Sequence, residues 1–145
     1  MDAFDTTTHK SEKEVKKRLN AMQKVAELSL SKCAKDISNS GALGTLGMLL
    51  ELSAVGAKID VKKIPKPKDE PLLKWLVAYQ GCGFILTCKK ENSNKLISIL
   101  EDSGFSASRV GKIIDDRKLI IEDGIKKKEV FNFKKKGVTG IMRGK

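Results

Sequence analysis

Apolar residues recur at helical spacing from Val15: Leu19, Met22, Val25 and Ala26 follow at three- and four-residue steps. Ahead of them Ser11-Glu12-Lys13-Glu14 forms a capping box, the serine oxygen accepting from the third N–H and the glutamate reaching back. The spacing predicts a helix from about 12 to about 32. A polar break, Asp36 to Ser40, leads into a second apolar run from Gly41 to Ala54. Its stop is predicted at Gly56, a residue type suited to the left-handed position after a helix. Ala57, Ile59 and Val61 then alternate with polar residues, which predicts a strand.

Pro65, Pro67 and Pro71 exclude regular structure up to about 71. Asp69-Glu70-Pro71 then opens a short helix, "LLKWLVAY", with acids and proline where the helix dipole favours them. "FILTC" (84–88) reads as a buried strand. Asn92 or Ser93 caps the next helix, with Leu96, Ile97 and Leu100 inward and Gly104 closing it. "SASRVGKII" (106–114) reads as a strand, and "RKLIIEDGIKKKEVFNF" (117–133) as a hairpin turning at Asp123-Gly124 in type I′ geometry. The fold class expected is α+β, a mixed β-sheet covered by helices. Residues 1–10 form a lead-in segment, 11–133 a single domain, and 134–145 a frayed basic tail.

One feature of the second helix needs a reason. Gly41, Gly44 and Gly47 stand among leucines, and each glycine in a helix interior costs about 1 kcal/mol relative to alanine. Either another backbone lies against this helix or its first turn approaches a ligand. Asp36-Ile37-Ser38-Asn39-Ser40-Gly41 feeds straight into the helix N-terminus, where N–H groups without intrahelical partners and the dipole favour an anion. Small residues at Ser40, Gly41 and Ala42 permit close approach, and Ser38 and Asn39 add side-chain donors. The alternative is that Ser38 or Asn39 merely caps the helix and the glycines mark tight packing.

Composition narrows the functional classes. The net charge of +11 invites a nucleic-acid reading, yet 25 of the 29 basic residues are lysine and four are arginine. Arginine is the residue that reads guanine edges and stacks on bases, and aromatics are only 5% of the chain. Nucleic acid is therefore disfavoured as a partner. A basic nucleic-acid-binding or protein-interaction module, held by Lys126 to Lys128 and Lys134 to Lys136, is the alternative function. Lysines guarding a solvated edge strand are the stronger explanation of those runs. Cys33, Cys82 and Cys88 have no metal-ligand spacing, so no metal site is expected. His9 is the only histidine, which removes most nucleophile–histidine arrangements. No catalytic residue is identified, and Asp36 is the one acid embedded in a motif. His9 and Thr6 to Thr8 are either a ligand- or partner-contacting linker or a polar lead-in. No apolar run is long enough to span a bilayer and no secretory signal opens the chain, so a cytoplasmic protein is expected.

"KDISNSGALGTLGMLLELSAVGAKIDVKKIP" followed by "LLKWLVAYQGCGFILTC" resembles the C-terminal domain of the aminoimidazole-ribonucleotide synthetase superfamily. "FDTTTHKS" (4–11) is similar to the interdomain segment of its uncharacterised synthetase-related branch, which includes the methanogenesis markers. The resemblance covers about residues 4 to 115. The family's Asp-x-Ser-x-x-Gly turn falls on Asp36, Ser38 and Gly41. There the resemblance implies a place near the cleft that holds a phosphorylated ligand. It also implies ATP-dependent chemistry, with ATP and magnesium held by an N-terminal domain or subunit and none bound tightly by this chain alone. The function expected is that of a substrate-side C-terminal domain, not catalytic by itself, whose partners are that ATP-binding half, a phosphorylated small molecule and a second copy of the chain.

Overall fold

A computed structural model describes residues 3–140. In chain order the elements are β1 (Ala3–Phe4), α1 (Glu12–Glu27), β2 (Cys33–Asp36), α2 (Gly41–Leu52), β3 (Gly56–Asp60), α3 (Leu72–Val77), β4 (Tyr79–Gln80), β5 (Phe84–Thr87), α4 (Ser93–Asp102), β6 (Gly111–Ile114), β7 (Lys118–Glu122) and β8 (Lys127–Asn132). The main sheet has strand order β6-β3-β7-β8 and is mixed, with β3 antiparallel to β6 and parallel to β7. β2 pairs antiparallel with β5, and β1 pairs parallel with β4. The α+β class with a mixed, helix-covered sheet is as expected from the pattern.

Two hydrophobic clusters hold the molecule. One joins Ala21 and Val25 of α1 to Leu96, Ile99 and Leu100 of α4, with Leu30, Leu86 and Phe105 against them. The other packs Leu46 and Leu50 of α2 on Ala57 and Ile59 of β3, Leu119 of β7 and Phe133. α2 is buried nearly all round, including Thr45 and Glu51. A helix apolar on every side needs neighbours on every side.

Those neighbours answer the glycine question. Gly41 has φ +66°, and a Cβ there would lie 2.5 Å from Val77 Cα and against the Leu76 carbonyl oxygen. The end of α3 thus crosses the start of α2 backbone to backbone. At Gly47 a Cβ would come within 3.1 Å of both Val138 and Phe131 side chains, and at Gly44 it would meet Ser40 of the helix's own N-cap.

Several boundaries differ from expectation. α1 ends at Glu27, not near 32, because Ser29 takes φ 52° and the Leu30 N–H reaches back to the Val25 carbonyl at 3.1 Å. α2 ends likewise, with Ala54 at φ 55° and Val55 N–H on Leu50 O; Gly56 instead begins β3. Gly104 fills the same role after α4, as expected. The turn between β7 and β8 is not type I′, because Gly124 has positive φ and Ile125 does not. Asp123 N–H donates to Lys126 O at 3.2 Å, and Asp123 Oδ1 accepts from both Ile125 N–H and Lys126 N–H.

β2 occupies Cys33–Asp36, part of which was read as a break. The expected frayed tail is corrected for residues 134–140; 141–145 lie outside the described residues. Lys134 pairs with Asp116 at 2.9 Å, and Val138 N–H, Thr139 N–H and the Thr139 hydroxyl all donate to one Glu51 carboxylate oxygen.

Candidate ligand cleft

Between the two clusters lies a cleft of about 1360 Å³. It is lined by Leu43 and Leu46 of α2, by β3, β5 and β6, and by Leu96 and Leu100 of α4. The loop after α4 borders the cleft and is tied to the end of β3 and the turn after it, since Asp60 N–H donates to Val110 O at 2.8 Å and the Ser108 hydroxyl to the Lys63 carbonyl.

Sequence reasoning placed the site on the turn before α2, and the structure divides those residues. Ile37 and Ala42 line the cleft, whereas Asp36, Ser38, Asn39, Ser40 and Gly41 are not part of its lining. Asp36 is exposed and pairs with Lys35 at 3.5 Å. Ser38, Ser40 and the buried Thr45 form a hydroxyl cluster, with Ser38 N–H donating to Thr45 Oγ1 at 3.1 Å. Gly41 N–H is taken by Ser38 O at 2.9 Å, and no side chain caps the helix. The glycine is thereby accounted for by backbone packing and by its φ.

The cleft holds charges that the sequence did not single out. Lys58 of β3 and Lys112 of β6 both line it and stand directly opposite each other in the strand register. Neither makes an ion pair among the described residues, in contrast to Lys63, held by Asp60 at 3.6 Å, and Lys127, held by Glu122 at 3.5 Å. Like charges opposed across a strand pair are destabilising, so an unpaired couple is kept at a cost of stability. Arg109 also lines the cleft, near Cys88. Burial pushes the Cys88 thiol up despite Arg109, so it stays a neutral thiol at pH 7. The register that creates the lysine pair is a tertiary fact; only the alternation around Ala57 and Ile59 hinted that Lys58 faces away from α2.

The lead-in segment is built into this site. Phe4 packs edge-on against Trp75, ring centroids 4.8 Å apart, while β1 pairs with β4. Asp5 accepts from Thr7 N–H and Thr8 N–H at 2.9 Å each. The Thr8 hydroxyl and these N–H groups hold its carboxyl well below the usual aspartate range. Arg18 reaches from α1 to Gly104 O at 2.7 Å and Thr6 O at 3.5 Å, with its guanidinium 5.4 Å from the centre of the Phe105 ring.

An α+β domain with two cores, a buried glycine-bearing helix and a basic cleft between its layers is the class these features define. Residues 2–124 match the family described as AIR synthase related protein, C-terminal domain, and the chain belongs to that family. It is 46% identical over 137 residues to the uncharacterized protein MJ0640 of Methanocaldococcus jannaschii, covering 94% of this chain and 42% of that one. Over 109 residues it is 30% identical to phosphoribosylformylglycinamidine synthase subunit PurL of Methanopyrus kandleri, covering 72% of this chain and 14% of that subunit. The chain thus spans less than half the length of either relative. In fold it is similar to T. maritima PurL complexed with ATP, with a TM-score of 0.75 at 16% identity over 97% of this chain and 24% of that one. It is also similar to a chain of the HypE–HypF complex, with a TM-score of 0.71 at 18% identity over 78% of this chain and 40% of that one. Among the described residues no helix is long and apolar enough to cross a membrane.

Proposed function

We propose that this chain is the substrate-side C-terminal half of an ATP-using, synthetase-related cytoplasmic protein, and that its cleft receives the anionic part of a phosphorylated small molecule. The observation that carries the reading is the unpaired couple Lys58 and Lys112 on the cleft wall. Two lysines paired in the strand register without a carboxylate partner suit a phosphate, whose oxygens accept from several donors at once. The Asp36–Ala42 turn lies beside the cleft, which Ile37 and Ala42 reach; the dipole of α2 adds to the field there. ATP belongs in this reading to an N-terminal domain or subunit; a T. maritima PurL of similar fold is described as complexed with ATP. In this reading phosphoryl transfer is assigned to the partner half.

The test uses ribose 5-phosphate as the probe, titrated into the 145-residue chain by NMR at low and high salt. Binding is expected to perturb the Lys58 and Lys112 amides, to fall as salt rises, and to weaken by about tenfold or more when either lysine becomes glutamine. Undiminished binding in the Lys58→Gln, Lys112→Gln double variant would overturn the assignment. ATP with magnesium is expected not to bind tightly to this chain alone, as calorimetry would report.

A further inference from the structure

The main sheet ends on β6 at one side and on β8 at the other, and the two edges are built differently. β8 meets β7 with a register shift at Leu119/Ile120, and the lysines Lys126 to Lys128 lead into it. Bulges and lysines are the devices that keep a sheet edge from pairing further. β6 instead follows β3 in unbroken register, from Ile59 opposite Gly111 to Gly56 opposite Ile114. Its sequence, GKII, holds a single lysine and no proline. Gly111 to Ile113 are exposed, Ile113 by 43%.

The register fixes which backbone groups of β6 are free. Asp60 N–H donates to Val110 O at 2.8 Å, so that pair is a bonded one. Bonded and non-bonded pairs alternate along an antiparallel ladder, which turns the N–H and C=O groups of Lys112 and Ile114 towards β3. Those of Gly111 and Ile113 point away from the sheet and have no partner among the described residues.

Lys112 selects what can pair there. On an added antiparallel strand the residue facing Lys112 belongs to a non-bonded pair, the closer of the two kinds. Lys112 and Lys58 beside it make no ion pair among the described residues, and Arg109 is exposed just ahead of the strand. Of the two aspartates that follow, Asp116 is held by Lys118 and Lys134. A carboxylate facing Lys112 replaces like-charge repulsion by attraction. Gly111 and Ile113 lie on the face that Ala57 and Ile59 turn towards α2, so apolar residues suit the positions on either side of that acid. A second copy using both Gly111 and Ile113 of each strand would set Lys112 against Lys112, which disfavours self-pairing at this edge.

We propose that β6 is a docking edge to which a partner protein adds an extended antiparallel segment, with an acidic residue facing Lys112 between two apolar ones. Main-chain bonds to Gly111 and Ile113 supply the affinity and the alternating side chains the specificity. This goes beyond the ligand reading and does not rest on it.

The test titrates two capped peptides, STVEFTS and STVKFTS, into the 145-residue chain and follows its amides by NMR. The glutamate peptide is expected to shift the Gly111 and Ile113 amides saturably. It should bind about fivefold more tightly than the lysine peptide, a gap that closes as salt rises. Ile113→Pro removes an N–H that makes no bond to β3, the kind of edge position where proline is tolerated. That variant is expected to bind the glutamate peptide about tenfold more weakly or less. Lys112→Glu is expected to reverse the order of the two peptides, which misfolding cannot produce. Equal binding of the two peptides, saturable shifts that avoid β6, undiminished binding by the proline variant, or an unreversed order in Lys112→Glu would each overturn the docking edge. Failure of ribose 5-phosphate to bind would remove the phosphate reading and leave this edge standing. A chain that binds ribose 5-phosphate and neither peptide would overturn the edge alone.

Discussion

Gly41 is where a single residue decides most. Its left-handed φ and the backbone of Leu76 and Val77 against it leave no room for a side chain. Strain of about 1–3 kcal/mol for a non-glycine residue in that region adds to an overpacking cost of about 1–3 kcal/mol. Gly41→Val is therefore expected to lower the stability of the domain by at least about 2 kcal/mol in urea unfolding; an unchanged midpoint would contradict the packing described. This also means that replacing Gly41 cannot isolate ligand binding from folding. Glu51 decides almost as much, because its buried carboxylate receives three donors from Val138 and Thr139. Glu51→Ala should cost about 1–3 kcal/mol by leaving those donors without it. Hydrogen exchange should show the Val138 and Thr139 amides losing protection first; equal protection in both proteins would refute the clasp.

At the scale of elements, helix ends carry the instructive departures. α1 and α2 both close with a residue in the left-handed region that is not glycine, Ser29 and Ala54. An L-residue there costs about 1–2 kcal/mol, so Ala54→Gly is expected to raise the unfolding midpoint, by up to about 1 kcal/mol in stability. A lowered midpoint would mean that the Ala54 methyl has a packing role. At the other end of α1 the capping box forms as its spelling implies, with Ser11 N–H and hydroxyl both donating to Glu14 Oε2 at 2.8 Å. These bonds hold the Glu14 carboxyl below its ordinary value of 4.5. A depressed carboxyl contributes stability in full above its unfolded value and loses it as pH falls through the folded one. Protection of the first turn of α1 should accordingly persist at pH 4.5 and fade only in more acid solution. Glu14→Gln should abolish that acid-dependent change; an identical profile in the variant would count against the cap.

For the whole molecule, the surface of α3 bears on assembly. Leu73 is 79% exposed and Val77, one turn on, 61%, with Tyr79 just beyond at 36%. Contiguous exposed apolar residues mark interaction surfaces more than isolated ones do. We propose that this face associates with a second copy of the chain. Light scattering is expected to give a dimer or larger species that Leu73→Asp shifts towards monomer; a clean monomer at high concentration would exclude self-association. The two cores and the cleft between them make the same point inward. α2 belongs to one core and reaches the cleft through Ala42, Leu43 and Leu46, so substitutions that loosen α2 should disturb ligand binding as well as stability.

Much of this protein is written locally. The capping box of α1, the buried character of α2, the strand through Ala57 and Ile59, and the glycine closing α4 follow from short-range periodicity and capping chemistry, which any chain of this pattern obeys. The turn from Asp36 to Ala42 was legible as a helix entry for the same reason, and its glycines announced a close neighbour without naming it. That the neighbour is the end of α3, that β2 exists at all, and that residues 137–139 lie on Glu51 depended on partners distant in sequence. Short strands such as Cys33–Asp36 gain their hydrogen bonds only from a partner, here β5, so their local signal is weak. The lysine couple and the seating of the lead-in segment arise in the same way. Lys58 and Lys112 oppose each other only through the register of β3 and β6, and the lead-in segment reaches the cleft only because β1 pairs with β4. Local sequence chose the elements; the pairing of distant segments placed the charges on one cleft.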